Sequence, residues 1–204
     1  MDWEPGPKPN VWRKCLDVTA GDPCRATLLV RYDARSRIPE HDHPNGEEIL
    51  VLQGTLADEH GEYPAGSYLL HPPGFRHAPY SRRRCEAFVK LHEYSGGRRE
   101  HVVLDTRHAV WHPGPVPGVD VLELYRSSAH PETMALLHIA GGAMLSRHDC
   151  RGGAEIFVIE GDLRDDWGCH GPGTWIRQPD GDTSALRSKK GCTLYVKRGH
   201  LTDT

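Results

Sequence analysis

The chain has 204 residues, enough for one large domain or two of about 100. Its 25 lysines and arginines against 28 acidic residues leave a net charge of −3, so no basic face calls for nucleic acid. No apolar run approaches the roughly 20 residues of a membrane helix. The opening Met1–Pro7 lacks the basic and apolar regions of a secretory leader, so a cytoplasmic location without membrane contact is expected.

Short β-prone runs follow one another between glycine and proline punctuation. In chain order they are 26–32, 48–53, 67–70 and 87–91, then 133–139, 155–160, 174–176 and 193–196. No stretch has a useful helical period. Many short strands with regular turn signals predict an all-β protein of the barrel or sandwich kind. The six cysteines are scattered and form no Cys-x-x-Cys pair, so reduced thiols are expected.

The two halves are copies. An offset of 107 takes Gly54 to Gly161, Gly66 to Gly173, Pro72 to Pro179, Gly74 to Gly181, Cys85 to Cys192 and Lys90 to Lys197. Glycine and proline dominate the matched positions, and these residues set turns. The copies therefore share a backbone plan. The predicted domains are 1–100 and 101–204, with Ser95-Gly96-Gly97 closing the first and residues 111–118 leading into the second.

Fourteen histidines invite a search for a metal site, but spacing must carry it. His41 and His43 stand two apart, which on a strand places both on one face. Pro44-Asn45-Gly46 is a strong turn signal that brings Glu47 back beside them. A later Pro-Gly turn at Pro73-Gly74 delivers His77. Strand alternation lets only one of Glu47 and Glu48 point inward. These residues match the two motifs of the cupins: His41, His43, Glu47 and Gly54 meet the first, and Gly66, Pro72, Gly74 and His77 the second. The first motif sets six residues between its carboxylate and its glycine, which with Gly54 selects Glu47 over Glu48. Ser81 replaces the asparagine that ends the second motif. The resemblance implies two tandem double-stranded β-helix (jelly-roll) barrels. It also implies one divalent metal held by His41, His43, Glu47 and His77.

The same offset takes His41 to His148, but His43 to Cys150, Glu47 to Ala154 and His77 to Ser184. One ligand of four survives, so the second copy is expected to bind no metal and to serve as a structural partner. A metal-free cavity lined by Trp167, Trp175, Phe157 and His148 is the alternative. In the first copy, Arg31, Tyr68 and Lys90 are the candidate substrate-binding residues: they lie on its strands, where parity turns some polar side chains toward the metal, and a cation such as Arg31 or Lys90 there would suit a carboxylate or enolate. His71, Arg76 and His92 lie near them on the same strands and turns. His60 and His101 are read as loop or surface residues.

Alternation places Ile49, Val51, Ile156 and Val158 inward. Leu50, Leu52, Phe157 and Ile159 then form an opposite apolar face that must be covered, by the other copy, the N-terminal segment or a second chain. A homodimer is one such arrangement.

Within the cupins, the stretches 46–54, 58–66 and 191–197 resemble the cupin domain of ChrR-type anti-sigma factors. That resemblance implies zinc, and a role in sensing oxidative stress or a small-molecule ligand. The sigma-binding domain of that family carries its own His/Cys zinc site. Residues 1–25 hold only Cys15 and Cys24, so direct binding of a sigma factor is not expected. The ligand set itself equally accepts iron, manganese or nickel. A metal-dependent dioxygenase of the diketone-cleaving cupin type is therefore the alternative, since its open coordination positions suit substrate or oxygen.

Overall fold

The computed structural model describes residues 2–19, 24–92, 94, 99–146 and 150–201. His148 and the Ser95–Gly97 stretch lie outside the described residues. Among those described there is no helix, and every element is a strand. No helix is therefore long and apolar enough to cross a membrane. The chain forms two compact units, 1–108 and 109–204, each a barrel of antiparallel strands.

In the first unit the long strands pair in the order Val11–Val18, Ala26–Tyr32, Cys85–Leu91, Glu47–Gln53, Ser67–His71 and Val102–Asp105. Short strands cover the opposite side, including a two-stranded ladder of His41–His43 with Phe75–His77. The second unit repeats the plan with Val119–Arg126, Thr133–Ala140, Gly191–Arg198, Ala154–Gly161 and Trp175–Gln178. The first compact unit extends to His108 because Val102–Asp105 pairs with Ser67–Leu70.

The eight predicted runs are all strands, mostly one or two residues longer than their patterns. Two eight-residue strands were not in the sequence reading: Val11–Val18 and Val119–Arg126. Each has one full-length neighbour and, on its other side, a strand of only two residues. Such near-edge strands carry charges along much of their length, as in VWRKCLDV and VDVLELYR, and lack the dense apolar signal of a central strand.

The shared turn plan has a steric reason at Gly54 and Gly161, which adopt φ of 75° and 81°. A β-carbon at Gly54 would lie 2.1 Å from the Arg84 carbonyl oxygen, and one at Gly161 would lie 2.0 Å from that of Gly191. Both the left-handed backbone and the close neighbouring strand therefore demand glycine at the same point of each copy.

Alternation sorts the core as expected. Ile49 and Val51 pack in the first barrel with Leu28, Val30, Leu69, Ala87 and Val89. Ile156 and Val158 pack in the second with Leu137, Ile139, Leu194 and Val196. On the opposite faces, Leu50 and Phe157 are only 3% and 2% exposed, while Leu52 and Ile159 are half-buried. All six cysteines are free thiols. Burial pushes Cys85 up to about 12 and Cys192 up to about 11.

Candidate metal centre

Three local features converge on one end of the first barrel. The ladder of His41–His43 with Phe75–His77 sets His77 opposite His41, so the three ring centroids lie 4.7–5.2 Å apart. Gly46, at φ 69°, turns the chain tightly enough for Glu47 to open the next strand beside the histidines. That strand pairs with Ser67–His71 and places His71 directly opposite Glu47.

The donor atoms crowd together. His43 Nε2 is 3.1 Å from His77 Nε2, and Glu47 Oε2 lies 3.4 and 3.5 Å from those two nitrogens. Donors that share one ion at about 2.0–2.2 Å stand roughly 2.8–3.6 Å apart, so the spacing fits a common metal. Two overlapping groups bring their ligand atoms within 4.8 Å of one another: His41, His43 and His77, and Glu47, His71 and His77.

The outer contacts orient these ligands. His41 Nδ1 donates to the Pro39 carbonyl at 2.9 Å, and His77 Nδ1 donates to Asp58 at 3.3 Å. Each bond fixes the tautomer and leaves the Nε2 lone pair for the centre. Asp58 in turn accepts from the His60 and Gly61 amides and the Tyr63 hydroxyl, so the carboxylate that orients His77 also holds its own turn.

Burial by itself would raise the Glu47 pKa, but the His71 hydrogen bond and the neighbouring His43 and His77 outweigh it and hold the carboxyl at about 2. Burial lowers His43 to about 4 against the pull of Glu47, leaving a neutral ring. At His77 burial works downward, but the Asp58 hydrogen bond and Glu47 prevail and raise it. An ionised carboxylate and a neutral His43 imidazole are the forms a divalent cation binds.

Sequence reasoning did not assign His71 to this cluster. Its Nδ1 donates to Glu47 Oε2 at 3.1 Å, its ring stacks on Phe75 at 4.1 Å, and its Nε2 is buried without a partner. The missing signal was parity: His71 shares its face with inward Leu69, two residues earlier on the same strand. His101, expected on the surface, is exposed but stands 5.4 Å from the His71 ring.

Arg31, Tyr68 and Lys90 do not join the site. The inward residues of their strands are Leu28 and Val30, Leu69, and Ala87 and Val89, so these three sit on the other face of the sheet. There Tyr68 donates to Glu48 Oε1 at 2.9 Å, Lys90 donates to Thr27 at 2.7 Å, and Arg31 pairs with Asp33 at 3.3 Å. Glu48 lies on that face too and also accepts from Tyr94 at 2.7 Å.

What faces the histidines is a cavity of about 450 Å³, walled by Val11, Leu28, Val30, Ile38 and Val89 and ending at His41, His43 and Glu47. Tyr32 lines it as well, and burial and Glu47 raise its pKa, so it holds its proton.

The second barrel gathers no such cluster among the described residues. Residues 182–184, the counterparts of Phe75–His77, form no strand. Cys150 instead points at Gln178, the counterpart of His71, with Sγ to Oε1 at 3.6 Å. Trp167 is 83% exposed, and Phe157 sits on the face opposite Ile156 and Val158. Trp167 and Phe157 therefore do not line the aromatic cavity of the alternative reading.

Two antiparallel barrels, one of them enclosing a histidine–carboxylate cluster, define a protein of the two-domain cupin class. The model of the ChrR cupin-like domain family matches residues 1–95 and again 99–202, so the chain belongs to that family and carries its domain twice. No curated protein sequence matches significantly. Among solved structures, a candidate dioxygenase of Nostoc punctiforme is similar at TM-score 0.78 and 15% identity, over 95% of this chain and 75% of that one. The bacterial pirin YhhW of Escherichia coli, in complex with nickel(II), aligns at 0.76 and 12%, over 98% and 96% of the two chains. A salicylate 1,2-dioxygenase of Pseudaminobacter salicylatoxidans aligns at 0.66 and 11%, over 86% and 70%. At these identities the likeness is one of fold.

Proposed function

We propose that the protein binds one divalent metal ion in the first barrel through His41, His43, Glu47 and His77. The metal and the apolar cavity beside it would together receive a small-molecule ligand, so that the protein acts as a sensing or ligand-binding protein. The observation that carries this is the convergence of His43 Nε2, His77 Nε2 and Glu47 Oε2 within 3.5 Å of one another at the inner end of the cavity. A bound ion would supply Lewis acidity and open positions for an oxygen of the ligand. The chain's own residues do the rest: Asp58 and the Pro39 carbonyl aim the rings, His71 holds the Glu47 carboxylate, and the apolar walls exclude water from the ligand's body.

Zinc is the favoured metal on family grounds, and a cytoplasmic, oxidative-stress-related role goes with it. The second reading is a metal-dependent dioxygenase of the diketone-cleaving kind. It draws support from the cavity beside the cluster and from the dioxygenases among the fold's neighbours. Elemental analysis of protein purified without added metal separates the two, together with oxygen uptake in the presence of 1,3-diketones. Zinc with no oxygen uptake supports the sensor. Iron with ligand-dependent oxygen uptake supports the enzyme.

A further inference from the structure

The second barrel has lost three of the four cation-binding residues, yet it keeps a cavity of about 240 Å³. Val119, Val121, Leu137, Leu145 and Val196 form its apolar wall. One of the groups lining it is Arg198, the inward residue two positions after Val196 on the strand Gly191–Arg198. In the first barrel the same position is Leu91, paired in register with Glu47; in the second, Arg198 is paired with Ala154. The exchange is therefore double. A carboxylate beside a leucine has become an alanine beside an arginine, and the charge at this point of the barrel has changed sign.

Among the described residues Arg198 has no acidic partner to explain it. Its guanidinium makes no ion pair or hydrogen bond among the described residues, and its Nε is buried without a partner. The other charged groups on the cavity, Arg126 and Glu123, are bonded to each other at 2.5 Å. Burial works against the Arg198 charge and lowers its pKa, but a guanidinium stays protonated at any working pH. An unpaired, partly desolvated arginine at an apolar cavity is costly by itself, and an anion with two parallel oxygens offsets that cost best.

We propose that the second barrel is a separate binding site for a small organic monocarboxylate: the carboxylate pairs with Arg198 and an apolar body fills the cavity. The apolar wall disfavours a fully hydrated inorganic anion. This site is independent of the metal centre, so the inference stands or falls without it.

The test is titration of the full-length chain with benzoate, followed by methyl NMR. Benzyl alcohol serves as the neutral counterpart and inorganic phosphate as the hydrated anion. Saturable shifts are expected at Leu137, Leu145 and Val196, with affinity at least tenfold weaker for benzyl alcohol and for phosphate. Arg198→Leu restores the residue of the first barrel and should reduce benzoate affinity at least tenfold while leaving the metal content unchanged. Arg198→Gln, which keeps a polar head, serves if the leucine variant misfolds and should show the same loss. Benzoate bound at the first barrel's metal would instead shift Leu28, Val30 and Val89. The proposal is overturned by shifts confined to those residues, by undiminished benzoate binding in the Arg198 variants, or by benzyl alcohol or phosphate binding as tightly as benzoate.

Discussion

The two barrels share a backbone and differ in what that backbone holds. Gly54 and Gly161 make the same turn against the same neighbouring strand, and Asp58 and Asp165 accept amide hydrogen bonds from the same loop. Yet Asp58 goes on to orient His77, whereas Asp165 binds His170 at 2.9 Å and, among the described residues, serves its own hairpin. Replacement at the Gly54 and Gly161 turns is costly, because a β-carbon there would collide with backbone. The residues that line the barrel end tolerate any replacement that still fills or hydrates the space. A duplicated fold can therefore keep its frame while one copy's chemistry drifts.

The largest expected effect concerns the frame. Leu50→Asp and Phe157→Asp should each destabilise the chain by about 4 kcal/mol, since each buries a charge where a packed apolar side chain stood. Chemical denaturation monitored by circular dichroism measures this, and a loss below about 1 kcal/mol in either copy would mean that the face is not closed there.

The two carboxylates that begin one strand come next. Glu47→Gln should weaken metal binding about 100-fold, or roughly 2.7 kcal/mol. Glu48→Gln should leave metal affinity unchanged and cost about 1–3 kcal/mol of stability through the Tyr68 and Tyr94 hydrogen bonds. The opposite ranking in a competition titration would place the strand one residue out of register.

Gly54→Ala and Gly161→Ala should each cost about 1–3 kcal/mol, and by similar amounts, because the clash is the same in both copies. Unequal thermal shifts would break the equivalence of the turn plans. The smallest effect divides the copies again. Asp58→Asn should lower metal affinity about 10-fold, whereas Asp165→Asn should leave it untouched. Equal effects would remove the distinction drawn between the two loops.

Much of this was legible in the sequence. The 107-residue offset reveals the duplication because turn glycines keep their spacing, and the His41, His43, Glu47 and His77 spacing reveals the cluster because strand and turn geometry convert it directly into proximity. The substrate residues were not legible. Arg31, Tyr68 and Lys90 were selected for chemical type, but each sits one position away from an inward residue, and a one-residue step crosses the sheet. His71 is near the site in sequence but unassigned, since it matches no motif position, although its parity with inward Leu69 points the same way as its pairing opposite Glu47. Arg198 looks like a terminal surface arginine until the register sets it opposite Ala154.

The most direct test of one equipped barrel beside one altered barrel is metal stoichiometry, by elemental analysis of the purified chain and its His77→Ala variant. The expected result is one metal per chain, falling to none in the variant. Two metals per chain, or one that persists in His77→Ala, would contradict it.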